Sequence, residues 1–401
     1  MRRKVLLICL DGCDPEYIER SPTPNLDRIA REGSHTLGAS VIPAVTNVNN
    51  TSIVTGRMPK DHGITTNFWY DPKARTGTYM EERAFLLCPT ILERAVARGL
   101  SAALLTAKKK LLHLLTDRRA VPYHPGMGRG DASGVIALAA EEPPEALTGL
   151  LGPTGGIYSP QINLWLLRAA RHVLSTADPD VMYVSTTDFV QHKYAPDHDV
   201  AIEHTAGMDA LIGEIIADDP EREVYVTADH GMRQMRRGVD LAVVLRAEGV
   251  PAVFQPIIKD RHVVHHNNLA GVANLYFESE RDRERALGIL RQVPGVEEVL
   301  AREEAAARLG LHPERIGDLF VLGEPGVVFG EFGVPEAPVD VRSHGSRHES
   351  VVPIYGYNAG IAWDGVRRNL DVARLLIAQL GLEQGALEPE RTLHGKGGAG
   401  A

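Results

Sequence analysis

The sequence has few cysteines and no block of basic residues. Three cysteines, Cys9, Cys13 and Cys88, are too few for a disulfide framework, and an odd count is typical of a reducing compartment. No two of them have the CxxC spacing of a thiolate metal site. The net charge is -9 and the Lys and Arg residues are spread along the chain, which argues against a nucleic-acid polymer as partner.

Long apolar runs are also missing. The first residues are basic and then apolar, as in a signal peptide, but the apolar run 5–10 is short and stops at Asp11. A secretory apolar region is longer and ends in small residues, so a buried first strand is the better interpretation. No run approaches the roughly 20 apolar residues of a membrane span. We therefore expect a soluble cytoplasmic protein without a membrane partner.

Short apolar runs alternate with amphipathic helical patterns along the chain. The segments KVLLICL, SAALLTA, DVMYVST and EVYVTA each have the continuous apolar character of a fully buried strand. In SPTPNLDRIAREG, Thr23 is predicted to cap a helix that begins at Pro24 and ends at Gly33, and the helix of TILERAVARGL is predicted to end at Gly99. The alternation predicts an α/β fold with a mostly parallel central sheet flanked by helices.

A second pattern begins near residue 239. The segments GVANLYFES, RDRERALGILRQV, GVEEVLAR, EEAAARLGL and DLFVLGE have the order β-α-β-α-β, which predicts a smaller inserted α+β cap domain over residues 239–341. Residues 1–238 and 342–401 would then form the catalytic core, and a chain with 44% hydrophobic residues can bury both units. The Gly- and Pro-rich stretch 120–160 predicts a long loop, and the low-complexity tail 394–401 predicts disorder.

Aspartate and histidine follow several of the predicted strands. The positions are Asp11, the pair Asp188 and His192, the pair Asp229 and His230, and the later His344 and His348. Sites in parallel sheets form beyond the carboxyl ends of the strands, so we expect these side chains to share one rim. Mixed Asp and His ligands suit zinc or a similar transition metal better than calcium or magnesium. Two such groups predict two metal ions about 4 Å apart.

Each of these residues also has a simpler interpretation when it is taken alone. An aspartate after a strand is often a helix cap, a DHG sequence is often a turn, and a DxxxH spacing occurs by chance. Among the 16 histidines, several must be ordinary surface residues, and we expect His113, His172 and His394 to be of this kind. The combination of several strand ends with a nucleophile favours a metal centre.

The nucleophile candidate is Thr46, which lies after a proline-led strand end and at the start of a small-polar helix. Its hydroxyl can cap that helix or attack a substrate. The ordered set of Thr46 with the strand-end ligands resembles the alkaline phosphatase superfamily, and TSIVTGRMPKDHGITTNFWYDP resembles its nucleotide pyrophosphatase/phosphodiesterase branch. The resemblance implies an alkaline-phosphatase-like core and two metals. The implied ligands are Asp11, Thr46, Asp229 and His230 for one metal, and Asp188, His192 and His344 for the other, with His348 as the alternative to His344.

The segments STTDFVQHKYAP, TAKKKL and RSHGSRHE also resemble the phosphonoacetate hydrolases, a family of this superfamily. That resemblance implies that Lys108 and Lys110 bind the carboxylate of the substrate, although a lysine pair at a helix start is also typical of a solvated basic face. Thr46 would attack phosphorus. Asn67 and backbone N–H groups at the start of the following helix would bind the phosphoryl oxygens.

The resemblance thus implies a di-metal hydrolase that cleaves the P–C bond of phosphonoacetate to acetate and phosphate through a phosphothreonine. The alternative is a type I phosphodiesterase or nucleotide pyrophosphatase with the same metals, in which Phe68, Trp69 and Tyr70 form a slot for a base. A third interpretation is a metal-binding protein without turnover. Zinc is the expected metal, with manganese and iron as alternatives, and the expected partner is a small phosphonate or phosphate ester; a homodimer is left open.

Overall fold

The computed structural model describes residues 3–259 and 263–383. In chain order its strands are β1 (Val5–Cys9), β2 (Ser34–Ala39), β3 (Phe68–Asp71), β4 (Thr76–Tyr79), β5 (Ala102–Thr106), β6 (Val121–Pro122), β7 (Ile136–Ala139), β8 (Val181–Ser185), β9 (Glu223–Thr227), β10 (Arg233–Val239), β11 (Val253–Pro256), β12 (Val272–Tyr276), β13 (Val296–Ala301), β14 (Leu319–Gly323), β15 (Val327–Phe329), β16 (Glu336–Ser343) and β17 (Val351–Tyr357). Its helices are α1 (Pro15–Glu19), α2 (Pro24–Glu32), α3 (Thr46–Thr55), α4 (Pro59–His62), α5 (Ile91–Ala97), α6 (Lys109–Leu115), α7 (Glu145–Leu151), α8 (Gln161–Thr176), α9 (Phe189–Lys193), α10 (Asp199–Asp218), α11 (Leu241–Ala247), α12 (Val263–His266), α13 (Glu280–Leu290), α14 (Arg302–Leu309) and α15 (Asn369–Gln379).

The centre of the fold is an 8-stranded sheet with the strand order β2-β17-β9-β1-β8-β5-β7-β6. Strand β17 runs antiparallel to both of its neighbours, and the other pairs are parallel. The four strands predicted from apolar runs, β1, β5, β8 and β9, lie side by side, and every residue in them is buried. The predicted mostly parallel α/β sheet is therefore confirmed.

Helices cover both faces of this sheet, which explains why its strands have continuous apolar runs. In β1, Val5 and Leu7 point to one face, where they share an apolar cluster with residues of α3 and α15. Leu6 and Ile8 point to the other face and pack with residues of α8 and α10. With both faces occupied, the ends of the strands are the places where polar side chains can meet.

The predicted helix ends are largely found, and Thr23 occupies the predicted cap position without a capping hydrogen bond. Helix α2 begins at Pro24 and Gly33 follows its last residue, as predicted, yet the Thr23 side chain makes no capping hydrogen bond. Helix α5 has a capping box between Thr90 and Glu93 and ends shortly before Gly99. The stretch 120–160 is not one long loop, because β6, β7 and α7 lie within it and β6 and β7 extend the central sheet.

A second, four-stranded antiparallel sheet has the order β11-β12-β14-β13. The chain order β12-α13-β13-α14-β14 is the one expected from the sequence. Val272 and Phe320 of this sheet belong to the same apolar cluster as Val48 of α3, so the sheet packs directly on the core. Strands β10 and β16 pair across the predicted limits of the cap, and the division at residues 239–341 stays a prediction.

Two further predictions concern the C-terminal tail and membrane-spanning segments. The predicted disordered tail 394–401 and His394 lie outside the described residues. Within the part of the chain that the structure describes, no helix has the length and apolar character needed to cross a bilayer.

Candidate active site

The site lies at the carboxyl ends of four adjacent parallel strands. Asp229 and His230 follow β9, Asp11 follows β1, Asp188 follows β8 and Lys108 follows β5. Each of these five side chains is buried, with at most 2% of the residue exposed. Because neighbouring parallel strands end at the same rim, residues far apart in the sequence meet there, as the strand-end rule predicts.

One group of ligand atoms comes from Asp11, Asp229 and His230, which lie within 4.8 Å of one another. The Nε2 atom of His230 is 3.4 Å from Asp11 Oδ1 and 3.4 Å from Asp229 Oδ2. The hydroxyl of Thr46 lies 3.4 Å from the same nitrogen. The structure thus brings together the four residues expected to share one metal.

A second group comes from Asp188, His230 and His344, again within 4.8 Å. His192 joins it, since its Nε2 is 3.0 Å from Asp188 Oδ2, and His344 Nε2 is 3.7 Å from the same oxygen. His348 lies elsewhere, with its Nε2 2.7 Å from the carboxylate of Glu297. Of the two histidines left open by the sequence, the structure therefore brings His344 to the cluster.

All three imidazoles make the same kind of hydrogen bond through Nδ1. The Nδ1 atoms of His192, His230 and His344 lie 2.7, 2.9 and 2.7 Å from the backbone carbonyls of Arg342, Gly231 and Ala44. A carbonyl can only accept, so each Nδ1 carries the proton and donates it. Each Nε2 then presents a lone pair towards the carboxylates, which is the tautomer that a histidine ligand needs.

Hydrogen bonds also hold the carboxylate of Asp229. Its Oδ1 accepts from the backbone N–H groups of Gly12 and His230, and its Oδ2 accepts from Asn50 Nδ2 at 3.0 Å. The amide oxygen of Asn50 accepts from the hydroxyls of Tyr183 and Ser185, each at 2.7 Å. Asn50 was not predicted as a site residue from the sequence, although its position one turn after Thr46, on the same side of α3, indicates that the two side chains lie close together.

Burial and mutual repulsion control the charges. Burial raises the pKa of Asp11 well above its usual range, and the neighbouring Asp188 and Asp229 carboxylates raise it further. Burial also raises the pKa of Asp229, to about 6. The pKa values of His230 and His344 are lowered, chiefly by burial, so both imidazoles are neutral at neutral pH. Carboxylates whose negative charge is costly are thus gathered with neutral imidazoles, and a bound cation would stabilise the charged form of the carboxylates.

The residues present fit divalent metal ions. Asp11 Oδ1 is buried and has no hydrogen-bond partner among the described residues. An orphaned carboxylate oxygen that faces oriented imidazole lone pairs is costly unless a cation binds it. Three carboxylates and three imidazoles are the donors that zinc, manganese and iron accept.

Thr46 is the first residue of α3 and does not cap it. The cap position is Val45, without a side-chain hydrogen bond, so the predicted capping role of Thr46 is wrong. Thr46 already belongs to the helix, and its hydroxyl points towards His230 instead of the helix start. Asn67 is buried beside it, and its Oδ1 accepts a hydrogen bond from the backbone N–H of Asn47 at 3.3 Å. That N–H group lies at the start of α3 and is one of those expected to bind the substrate, so Asn67 already occupies it.

The predicted lysines are buried rather than solvated. Lys108 lies just before α6, and its ammonium is 2.7 Å from Asp11 Oδ2 and 2.8 Å from Asp188 Oδ1. Lys110 is 7% exposed. The intervening Lys109 is the surface residue, and it pairs with Glu142. The interpretation of the pair as a solvated face is therefore wrong, because α6 turns Lys109 outward and its neighbours inward.

The aromatic residues near Asn67 are already packed against other rings. Phe68 contacts Tyr79 edge to face, Trp69 contacts Phe85, and Tyr70 contacts Tyr276 of the second sheet. Each of the three rings thus has a packing partner within the chain, and their role as a slot for a base stays a prediction.

Comparison with known proteins supports the sequence-based resemblance. The model of the Type I phosphodiesterase / nucleotide pyrophosphatase family matches residues 5–347. An uncharacterized pyrophosphatase/phosphodiesterase of Schizosaccharomyces pombe is 39% identical over 69 residues, which cover 17% of this chain and 14% of that protein. Ectonucleotide pyrophosphatase/phosphodiesterase family member 5 of Homo sapiens is 35% identical over 78 residues, which cover 18% and 15%. The matches to these curated relatives thus span a small part of their length.

Solved structures match over nearly the whole chain. Phosphonoacetate hydrolase from Sinorhizobium meliloti 1021, in complex with phosphonoacetate, is 31% identical with a TM-score of 0.83, covering 94% of this chain and 96% of that one. Murine ectonucleotide pyrophosphatase/phosphodiesterase 5 is 18% identical with a TM-score of 0.68, covering 94% and 95%. The second likeness shows the shared fold alone. Together the matches confirm the predicted alkaline-phosphatase-like fold.

Proposed function

Because the chain belongs to the Type I phosphodiesterase / nucleotide pyrophosphatase family of hydrolases, we propose that it hydrolyses phosphonoacetate to acetate and phosphate. The observation that carries the choice of substrate is the Lys108 ammonium, which is buried among the site carboxylates. A buried cation beside the reacting centre suits a small substrate with a second anionic group. The likeness to a phosphonoacetate hydrolase over 94% of the chain supports the same choice.

Two divalent metal ions would be held by the residues named above. The first would bind Asp11, Thr46, Asp229 and His230, and the second would bind the remaining three ligands, which are Asp188, His192 and His344. When bound, such cations lower the pKa of a hydroxyl and neutralise negative charge on phosphoryl oxygens. Zinc is the proposed metal on the chemistry of the donors, with manganese and iron as alternatives.

The reaction itself would begin at Thr46. Its hydroxyl loses its proton to solvent, and the oxygen then attacks phosphorus and forms the phosphothreonine while the P–C bond breaks. The electron pair of that bond goes to the methylene carbon and is delocalised into the carboxylate as an enolate. Protonation of the carbon by solvent gives acetate, and water then hydrolyses the phosphothreonine to phosphate and free Thr46.

The chain's own residues would stabilise the charges that develop. The Lys108 ammonium, supported by Lys110, would pair with the substrate carboxylate, where negative charge accumulates as the P–C bond breaks. Asn67 would bind a phosphoryl oxygen through its NH2 group, because its Oδ1 already accepts from the Asn47 backbone. These contacts favour the transition state over the ground state, which is what lowers the barrier.

A phosphodiesterase is the second candidate, and the family match and the curated relatives favour it. A substrate panel separates the two. We expect phosphate release from phosphonoacetate and little turnover of bis-p-nitrophenyl phosphate. Lys108→Met should abolish the first activity, since the carboxylate contact is lost, whereas the surface variant Lys109→Met should match the wild type. Turnover of the diester alone would refute phosphonoacetate as substrate.

A further inference from the structure

Lys108 connects the two groups of metal-ligating residues. Its ammonium contacts Asp11 and Asp188 at 2.7 and 2.8 Å, and its side chain is 3% exposed. Asp11 is grouped with Asp229, whereas Asp188 is grouped with His344. The ammonium therefore touches one carboxylate of each proposed metal site.

The contact has an electrostatic origin. Three buried carboxylates lie in one region, and a buried carboxylate without a counter-charge is strongly unfavourable. A single ammonium offsets part of that charge. A divalent cation bound by the same carboxylates carries twice the charge, and it repels the ammonium where little water screens the two. The ammonium contacts Asp11 Oδ2 and Asp188 Oδ1, whereas Asp11 Oδ1 and Asp188 Oδ2 face the imidazoles. The ammonium and the cations thus compete through charge repulsion across the same two carboxylates rather than for a single oxygen.

We propose that Lys108 is the counter-ion of the metal-free site and that its ammonium leaves Asp11 and Asp188 when divalent cations bind. This inference rests on the proposed metal centre but not on the identity of the substrate. It has two consequences. Lys108 lowers the affinity for metal, because the cations displace it. The ammonium becomes available to an anionic group of a ligand only in the loaded protein, so metal and such a ligand favour each other's binding.

A pair of neighbouring lysine variants tests the competition. Lys108→Met keeps an unbranched side chain and removes the charge, while Lys109→Met removes the same charge from an exposed residue that pairs with Glu142. Zn²⁺ affinity is measured by competition with a chelator, and stability of the metal-free protein by urea unfolding. We expect Lys108→Met to bind Zn²⁺ about tenfold more tightly or better and to unfold at lower urea. Lys109→Met should match the wild type in both measurements.

The outcomes separate this inference from the proposed metal centre. Zn²⁺ binding by the wild type is measured first, and a wild type that binds no Zn²⁺ refutes the metal centre. If the wild type binds Zn²⁺ and Lys108→Met binds it equally or more weakly, the competition is refuted, because Lys108 then leaves the ligands unaffected or supports them.

Wild-type crystals give the same test if metal-free Lys108→Met does not fold. In crystals grown without zinc, Lys108 Nζ should lie within hydrogen-bond distance of Asp11 and Asp188. With zinc bound at both groups, it should contact neither. An ammonium that keeps both contacts beside two zinc ions would overturn the inference.

Discussion

Substitution of Asn50 by leucine tests whether the hydrogen bonds behind the ligands support the metal site. Leucine removes the bond from Nδ2 to Asp229 Oδ2 at 3.0 Å. A bond of this kind to a charged group is worth about 1.5–3 kcal/mol. The buried hydroxyls of Tyr183 and Ser185 lose their acceptor as well, at about 1–3 kcal/mol each. After the apolar gain of leucine, we expect the free energy of unfolding of the metal-free protein to fall by about 3–5 kcal/mol.

The same change should weaken metal binding, because Asp229 loses its amide donor and keeps the bonds from two backbone N–H groups. Loss of such a supporting contact typically costs about 10–100-fold in metal affinity. Asn49→Leu is the matched control, since Asn49 lies in the same helix and bonds to the backbone of Val41 and Pro43, away from the carboxylates. It should lose stability but keep its Zn²⁺ affinity. Equal Zn²⁺ affinity of the Asn50 and Asn49 variants, by chelator competition, would refute this reasoning.

Three further predictions concern single side chains. Thr46→Ala should lower the rate of phosphate release by at least about a thousandfold, while circular dichroism stays unchanged and the other ligands retain zinc at saturating concentration. Thr46→Ser should retain part of the rate, and full activity of the alanine variant would exclude Thr46 as nucleophile. His344→Ala should reduce bound zinc measured by elemental analysis, and His348→Ala should not, since His348 pairs with Glu297; the reverse result would exchange their roles. Burial lowers the pKa of His62 to about 3, so the unfolded chain binds a proton there at mildly acidic pH and the folded chain does not. Stability should therefore be lost as the pH falls below about 6.5, by roughly 2 kcal/mol between pH 7 and 5. His62→Asn should show a smaller loss in urea unfolding at the two pH values, and an unchanged loss would assign the effect to other groups.

The strands and ligands could be predicted because burial on both faces leaves a direct trace in the sequence. Strands β1, β8 and β9 are buried and largely apolar, and the residues that meet at the rim are the first charged residues after them, Asp11, Asp188 and Asp229. The choice of His344 over His348 could not be made by spacing alone. It depends on where the chain turns after β16, which sends His348 towards Glu297.

Other features of the site depend on contacts that the sequence does not show. Lys108 meets Asp11 and Asp188 because β5 lies next to β8, and strand order is a property of the whole sheet. The capping prediction for Thr46 was wrong because the helix begins at that residue rather than after it. The packing of Phe68 and Tyr70 against other rings depends on a hairpin and on a sheet from distant parts of the chain.

The most direct test of the account is the product analysis of a reaction with phosphonoacetate, using purified wild-type protein of known zinc content. Phosphorus and proton NMR on the same sample measure phosphate and acetate. The account predicts that protein with two zinc ions per chain releases the two products in equal amounts, and that removal of zinc with a chelator stops the reaction. Intact phosphonoacetate in the presence of fully zinc-loaded protein would contradict it.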